Sequence, residues 1–151
     1  EFKATGFVTE TGQLLNLMNG VSCLGGRTQI SRVLAHAVKE TRAKPVKAVV
    51  FIGDCCEEPV DELCHTAGEL GMLRTPVFMF HEGNDAHARA VFQQVSKLSG
   101  GAYAPFDRNS PQVLKDLMAA VAVYASGGAK ALQDFSSRSS PEVKRLTRQI
   151  R

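Results

Sequence analysis

The sequence predicts an α/β domain built on a mostly parallel sheet with helices on both faces. Three short apolar runs rich in β-branched and aromatic residues lie near residues 47–53, 76–81 and 102–106, and segments with helical periodicity separate them. This alternation is typical of βαβ units, whose strands are parallel and whose helices cover the sheet. We therefore expect the three strands to lie side by side in chain order.

The N-terminal part predicts one strand and two helices. Residues 1–9 have the composition of a short strand with a bend at Gly6. A leucine-rich helix follows over residues 11–18 and ends at Asn19-Gly20. Apolar side chains then recur every three or four positions over residues 30–38, which indicates one buried face of a second helix.

The remaining elements are predicted from apolar runs and from the Pro and Gly residues that bound them. The run at 48–53 is continuously apolar, which predicts a fully buried strand, and Pro59 begins a third helix that Gly71 ends. Residues 81–85 form a predicted solvated loop with Asp85 capping a helix over 85–98, and a last strong helix spans 110–126. We assign residues 1–126 to one α/β domain. Residues 127–151 are basic and Ser-rich, and we expect a frayed tail with one helix over 142–150.

Composition excludes several classes of protein. The 151 residues are about one domain, 44% hydrophobic, with a net charge of +3. Lys and Arg are spread along the chain, so no nucleic-acid surface is indicated. No apolar segment approaches the roughly 20 residues needed to cross a bilayer. The four cysteines, at positions 23, 55, 56 and 64, show no CxxC spacing and are interpreted as reduced thiols in a cytoplasmic protein.

Three carboxylates follow the first of the parallel strands. Asp54, Glu57 and Glu58 lie at its carboxyl end, where open α/β sheets place their ligand crevice. The alternative is that Asp54 caps the next helix while the two glutamates favour its N-terminal dipole. Cys55 lies there too, with His65 or His81 as a conceivable base, but neighbouring negative charge should raise the pKa of its thiol and disfavour a nucleophile.

Four segments resemble the second half of a von Willebrand factor A domain. They are GGRT at 25–28 before an amphipathic helix, VVFIGD at 49–54, FMFHEG at 78–83 and LSGGAY at 98–103. The resemblance covers residues 20–126 and is closest to uncharacterised bacterial intracellular members. It implies a Rossmann-like fold that acts by binding protein partners.

The resemblance also implies a metal-ion-dependent adhesion site. In the family, a threonine and an aspartate from these two loops help to bind a divalent cation, usually magnesium; the matching residues are Thr28 and Asp54. Hydroxyl and carboxylate oxygens suit Mg²⁺. Thr28 could also cap the helix that begins at Gln29, and the two roles can coexist. The surrounding residues expected to contact a partner are Gly26, Arg27, Glu57, Glu58 and Glu82.

The sequence departs from the family in one respect. The Asp-x-Ser-x-Ser motif that supplies three metal contacts is absent, and with it the family's central strand. Either the chain is a fragment whose first half lies elsewhere, or it is a divergent half-domain. In both cases the strand at 47–53 lacks a neighbour, so we expect a severed N-terminal half or a second copy of the chain to pair with it.

Two functions are compatible with these observations. The first is a non-enzymatic protein-binding domain with an incomplete adhesion site. The alternative is a small magnesium-dependent hydrolase or phosphotransfer enzyme that uses the acidic strand end around Asp54.

Overall fold

The computed structural model describes residues 2–22 and 25–151, so expectations for Glu1 and Cys23 lie outside the described residues. The elements in chain order are α1 (Thr11–Asn19), α2 (Ile30–Ala43), β1 (Val49–Gly53), α3 (Val60–Met72), β2 (Val77–Glu82), α4 (Ala86–Ser99), β3 (Ala102–Phe106), α5 (Pro111–Ser136) and α6 (Pro141–Thr147).

The three strands form one parallel sheet in the order β1-β2-β3. Val49 is paired with Val77, so β1 and β2 begin level, whereas Ala102 is paired with Phe78, so β3 begins one residue further along β2. The predicted adjacency and parallel direction are confirmed. Because the strands run in the same direction, all three carboxyl ends lie at one edge of the sheet.

Helices cover both faces of the sheet, as the sequence predicted. Val77 and Met79 of β2 belong to the apolar cluster formed with α2, α3 and α4. Phe78 and Phe80 belong to a second cluster formed with α5 and α6. Successive side chains of a strand point to opposite faces, so the alternation along β2 places the two apolar layers on either side of the sheet.

The expectation that β1 is a fully buried strand is wrong. The side chains of Val49, Val50 and Phe51 are only partly buried, and Ile52 is 47% exposed. By contrast, the first five residues of β2 are buried. The difference arises because β2 has neighbours on both sides, whereas β1 is at the edge of the described sheet.

The expected N-terminal strand does not form. Residues 2–10 have no regular secondary structure, and no backbone hydrogen bond within the described residues joins them to β1. A strand needs a partner for its amide and carbonyl groups, and this exposed segment can satisfy them with water instead. Helix α1 does form as predicted, but it buries none of its residues.

Residues 127–151 are not a frayed tail. Helix α5 continues to Ser136 across a kink at Gly128, where φ is 74°, and Leu132 beyond the kink is fully buried. Val143 and Leu146 of α6 are each 1% exposed and pack in the layer of Phe78 and Phe80. These residues therefore complete the core on one face of the sheet.

The C-terminal segment also covers the β3 edge of the sheet. The Gln149 side chain accepts a hydrogen bond from Tyr103 N (2.9 Å) and donates one to Tyr103 O (2.8 Å). One amide side chain thus takes the place of a neighbouring strand at that position. Among the described helices, none combines the length and apolar character that crossing a membrane requires.

Candidate functional site

An open notch lies at the carboxyl ends of the three strands. Asp54 follows β1, Glu82 ends β2, and Asp107 and Arg108 follow β3; all of them line the notch, which has a volume of about 760 Å³. Asp85, also on its wall, caps α4 by accepting a hydrogen bond from Ala88 N at 2.6 Å, as the sequence predicted. The notch is acidic because four carboxylates surround one guanidinium.

Asp54 does not cap the following helix. The N-cap residue of α3 is Pro59, and no side chain caps that helix. Asp54 is exposed on the wall of the notch, and its carboxylate interacts with the thiol of Cys55. This carboxylate is therefore accessible to a ligand.

Thr28 joins the loop before α2 to the loop after β1. Its backbone N–H donates to Glu57 Oε2 (3.3 Å), while Glu57 N–H donates to Thr28 Oγ1 (3.3 Å). Thr28 is not the helix cap, because the N-cap residue of α2 is Gln29 and the Gln29 side chain does not bond to the helix. The hydroxyl expected to bind a metal is thus part of a reciprocal contact between two loops.

Glu58 caps α2 from a distant position in the chain. Its carboxylate accepts hydrogen bonds from Ile30 N (2.5 Å), Ser31 N (2.9 Å) and Ser31 Oγ (2.6 Å). Partial burial alone would raise the pKa of Glu58, but the hydrogen bonds from Ser31 and Ile30 outweigh it and hold the pKa below its ordinary value. The carboxylate therefore satisfies orphan N–H groups of the helix and interacts with its dipole.

The other expected partner-contacting residues have different environments. Glu82 is half-buried, and its Oε1 accepts a hydrogen bond from Arg108 Nε at 2.7 Å. Gly26 and Arg27 are exposed in the segment before α2. Asp54 and Glu82 line the notch, whereas Thr28, Glu57 and Glu58 form a separate contact at the start of α2.

The residues described do not fit a tight magnesium site. No three His, Cys, Asp or Glu side chains converge to hold a metal ion in residues 2–22 and 25–151. Gln29 Oε1, next to Thr28, is buried without a hydrogen-bond partner, but it carries no charge. One carboxylate and neutral oxygens leave most of an octahedron to water, which predicts weak binding of the cation.

The pKa values of the Cys55, Cys56 and Cys64 thiols are raised, which disfavours a nucleophilic role. Burial raises the pKa of the Cys55 thiol, and the hydrogen bond with Asp54 and the charges of Asp54, Glu57 and Asp85 raise it further. Burial also raises the pKa of Cys56 and of Cys64. The increase in the pKa of the Cys55 thiol was expected from the sequence, although burial contributes more to it than the carboxylates do.

His81 is buried next to the backbone of Asp54, which the sequence interpretation of a solvated loop missed. Its Nδ1 lies 2.8 Å from Tyr103 Oη and its Nε2 lies 3.3 Å from Asp54 O. A carbonyl oxygen only accepts, so Nε2 carries a proton, and in a neutral ring Nδ1 accepts from the tyrosine hydroxyl. Burial raises the pKa of Tyr103, with partial opposition from Arg89, which keeps that hydroxyl a donor.

The register of β2 and β3 brings this pair together. Met79 pairs with Tyr103 across the parallel ladder, and His81 lies two residues further along the same face of β2. Side chains at such diagonal positions are within reach of each other.

Comparison of the chain with protein-family models, with curated proteins and with solved structures gives no significant match. The resemblance to the von Willebrand factor A family stays a prediction from the sequence.

Proposed function

We propose that this chain is a non-enzymatic protein-binding domain that resembles a von Willebrand factor A domain with an incomplete metal-ion-dependent adhesion site. The notch at the carboxyl ends of the strands is its binding surface. Asp54 and Glu82 present oxygens there, and Arg108 presents a cation. Such a mixed polar surface suits side chains of a partner protein.

The observation that carries this proposal is the state of Asp54. Its carboxylate lies at the carboxyl end of an edge strand, is exposed, and is not used to cap α3. Open sheets place ligands at this edge. An exposed acidic group in an open notch favours recognition over turnover, because a catalytic site requires a closed pocket and a group of matched pKa.

Direct contacts are proposed in place of a metal bridge. Asp54 lines the notch whereas Thr28 is not among the notch residues, and the Thr28 hydroxyl already accepts a hydrogen bond from Glu57 N–H. The partner groups that fit the notch are therefore cationic side chains facing Asp54 and an anionic group facing Arg108.

Affinity capture from a lysate of the source cells tests the proposal, with the bound proteins identified by mass spectrometry. The notch variants are Asp54→Ala and Glu82→Ala. Asp134→Ala is the matched control, because it removes the same charge from an exposed position of α5 outside the notch. We expect a partner that the wild type and the control retain and that both notch variants lose.

Two results would contradict the proposal. A partner retained equally by the notch variants would place its binding surface elsewhere on the molecule. Hydrolysis of a phosphate ester or a nucleoside triphosphate with Mg²⁺, abolished by Asp54→Ala, would favour the alternative of a small magnesium-dependent enzyme.

A further inference from the structure

The two outer edges of the sheet differ in whether another part of the described chain bonds to them. At the β3 edge, the Gln149 side chain bonds to both backbone groups of Tyr103. At the β1 edge, the described chain provides no equivalent, since β1 pairs with β2 alone and no backbone hydrogen bond joins it to residues 2–10. An uncovered apolar edge is a template for pairing with another strand.

The backbone groups available at this edge can be identified. Val49 N donates to Pro76 O at 3.0 Å, so Val49 directs its backbone groups towards β2. Because these directions alternate along a strand, Phe51 shares that direction, while Ala48, Val50 and Ile52 direct their N–H and C=O groups away from the sheet. Ile52 is also 47% exposed, so the edge is accessible.

We infer that a second copy of this chain pairs with this edge, β1 against β1 in antiparallel orientation about a two-fold axis. Centring the pair on Val50 places Ala48 opposite Ile52 of the second copy and joins all outward-directed groups of the two strands. The two sheets then form one sheet of six strands. This interface lies at the side of the sheet and borders the notch at Asp54, but it does not rest on the function proposed for the notch.

Charge complementarity identifies the occupant as a second copy. Lys44 and Lys47 precede β1, whereas Asp54 and Glu57 follow it, and all four side chains are exposed. None of them takes part in an ion pair within the described chain. An antiparallel copy places the lysine end of each strand beside the acidic end of the other, so the edge is complementary to itself.

An apolar surface continues from this edge and enlarges the interface. Leu14 of α1, together with Phe7 and Val8, lines the same groove as Ala48 and Val49. Phe7 is 78% exposed and Leu14 is 47% exposed. Stable interfaces bury about 1,200 Å² or more in total, so strand pairing alone is small and this adjoining apolar surface supplies further area.

Sedimentation equilibrium of the purified chain tests the inference. We expect a dimer of twice the 16.3 kDa chain mass at tens of micromolar, and a stable monomer at that concentration would overturn the proposal. Val50→Pro removes one outward N–H from each copy and leaves the bonds to β2, so we expect the dimer Kd to rise about tenfold. Val50→Thr is the matched control, because it is isosteric and keeps the N–H.

Two measurements keep the test decisive if the proline variant does not fold. Lys47→Glu should raise the dimer Kd about fivefold, because it places like charges together. Amide hydrogen exchange should slow with rising protein concentration at Val50 and Ile52 but not at Phe51, whose N–H already faces β2. A dimer in which these two amides exchange at the same rate at all concentrations would show that another surface mediates association.

Discussion

Replacing Glu58 with alanine tests how the loop after β1 holds α2. The substitution removes three hydrogen bonds, two to backbone N–H groups of the first turn and one to the Ser31 hydroxyl. Loss of a side-chain cap typically reduces the free energy of unfolding by about 1 kcal/mol. A further hydrogen bond to a charged acceptor adds a similar amount, which gives about 2 kcal/mol in total.

Thermal and urea unfolding followed by circular dichroism measure this effect. For a chain of this length, about 2 kcal/mol lowers Tm by about 5 °C. Glu57→Ala is the matched control, because the neighbouring glutamate accepts only the longer bond from Thr28 N at 3.3 Å. We expect a decrease of about 0.5 kcal/mol for that control. Equal stability of Glu58→Ala and the control would refute the capping argument.

The contribution of Glu58 also depends on pH. Its pKa in the folded chain lies below the ordinary 4.5, so the charged form is favoured by folding. The resulting stabilisation is complete above pH 4.5 and is lost as the pH falls through the folded-state pKa. The stability advantage of the wild type over Glu58→Gln should therefore shrink as the pH falls below 4.5. An advantage that is constant down to pH 2 would contradict this assignment.

Two further predictions concern the notch. Calorimetric titration with Mg²⁺ should show no affinity tighter than millimolar, because no three ligating side chains converge in the described part of the chain; micromolar binding abolished by Asp54→Ala would show that other groups complete the site. Cys55 should react with iodoacetamide more slowly than free cysteine at pH 7, because its thiol pKa is raised. Asp54→Asn should accelerate the alkylation, measured on the Cys55 peptide by mass spectrometry, and an unchanged or slower rate would argue against the effect of the carboxylate.

The sheet and most helices were predictable because their signals are local. Each strand is a short apolar run, and α2, α3 and α4 show apolar faces at the helical period. The end of α5 was not predictable in this way, because Gly127-Gly128 was interpreted as the end of the helix. Gly128 does leave the helical conformation, but the chain resumes a helix after it. Val143, Leu146 and Ile150 recur at helical spacing, and their serine-rich and basic neighbours obscured this signal.

The site was predictable only in part, because the sequence places residues at a strand end without fixing their partners. Asp54 and Glu82 do meet in the notch, as parallel strands require. The bond from Ser31 to Glu58 spans 27 positions of the chain, and no local pattern indicates it. The apolar run ends at Phe80, whereas β2 continues to Glu82, so the loop predicted at 81–85 included two residues of the strand.

The same two loops carry both the capping interaction and the contact of Thr28. Glu58 binds the first turn of α2 at Ile30 and Ser31. The reciprocal bonds between Thr28 and Glu57 join the same two loops one or two residues before that contact. Interactions that share a loop are energetically coupled. Removing Glu58 should therefore loosen the Thr28–Glu57 pair as well, and the free energy lost in a Glu57→Ala, Glu58→Ala double variant should be less than the sum of the two single losses. Glu58 thus affects the position of Thr28 indirectly, because Glu58 holds the first turn of α2 and Thr28 lies in the segment that leads into this helix.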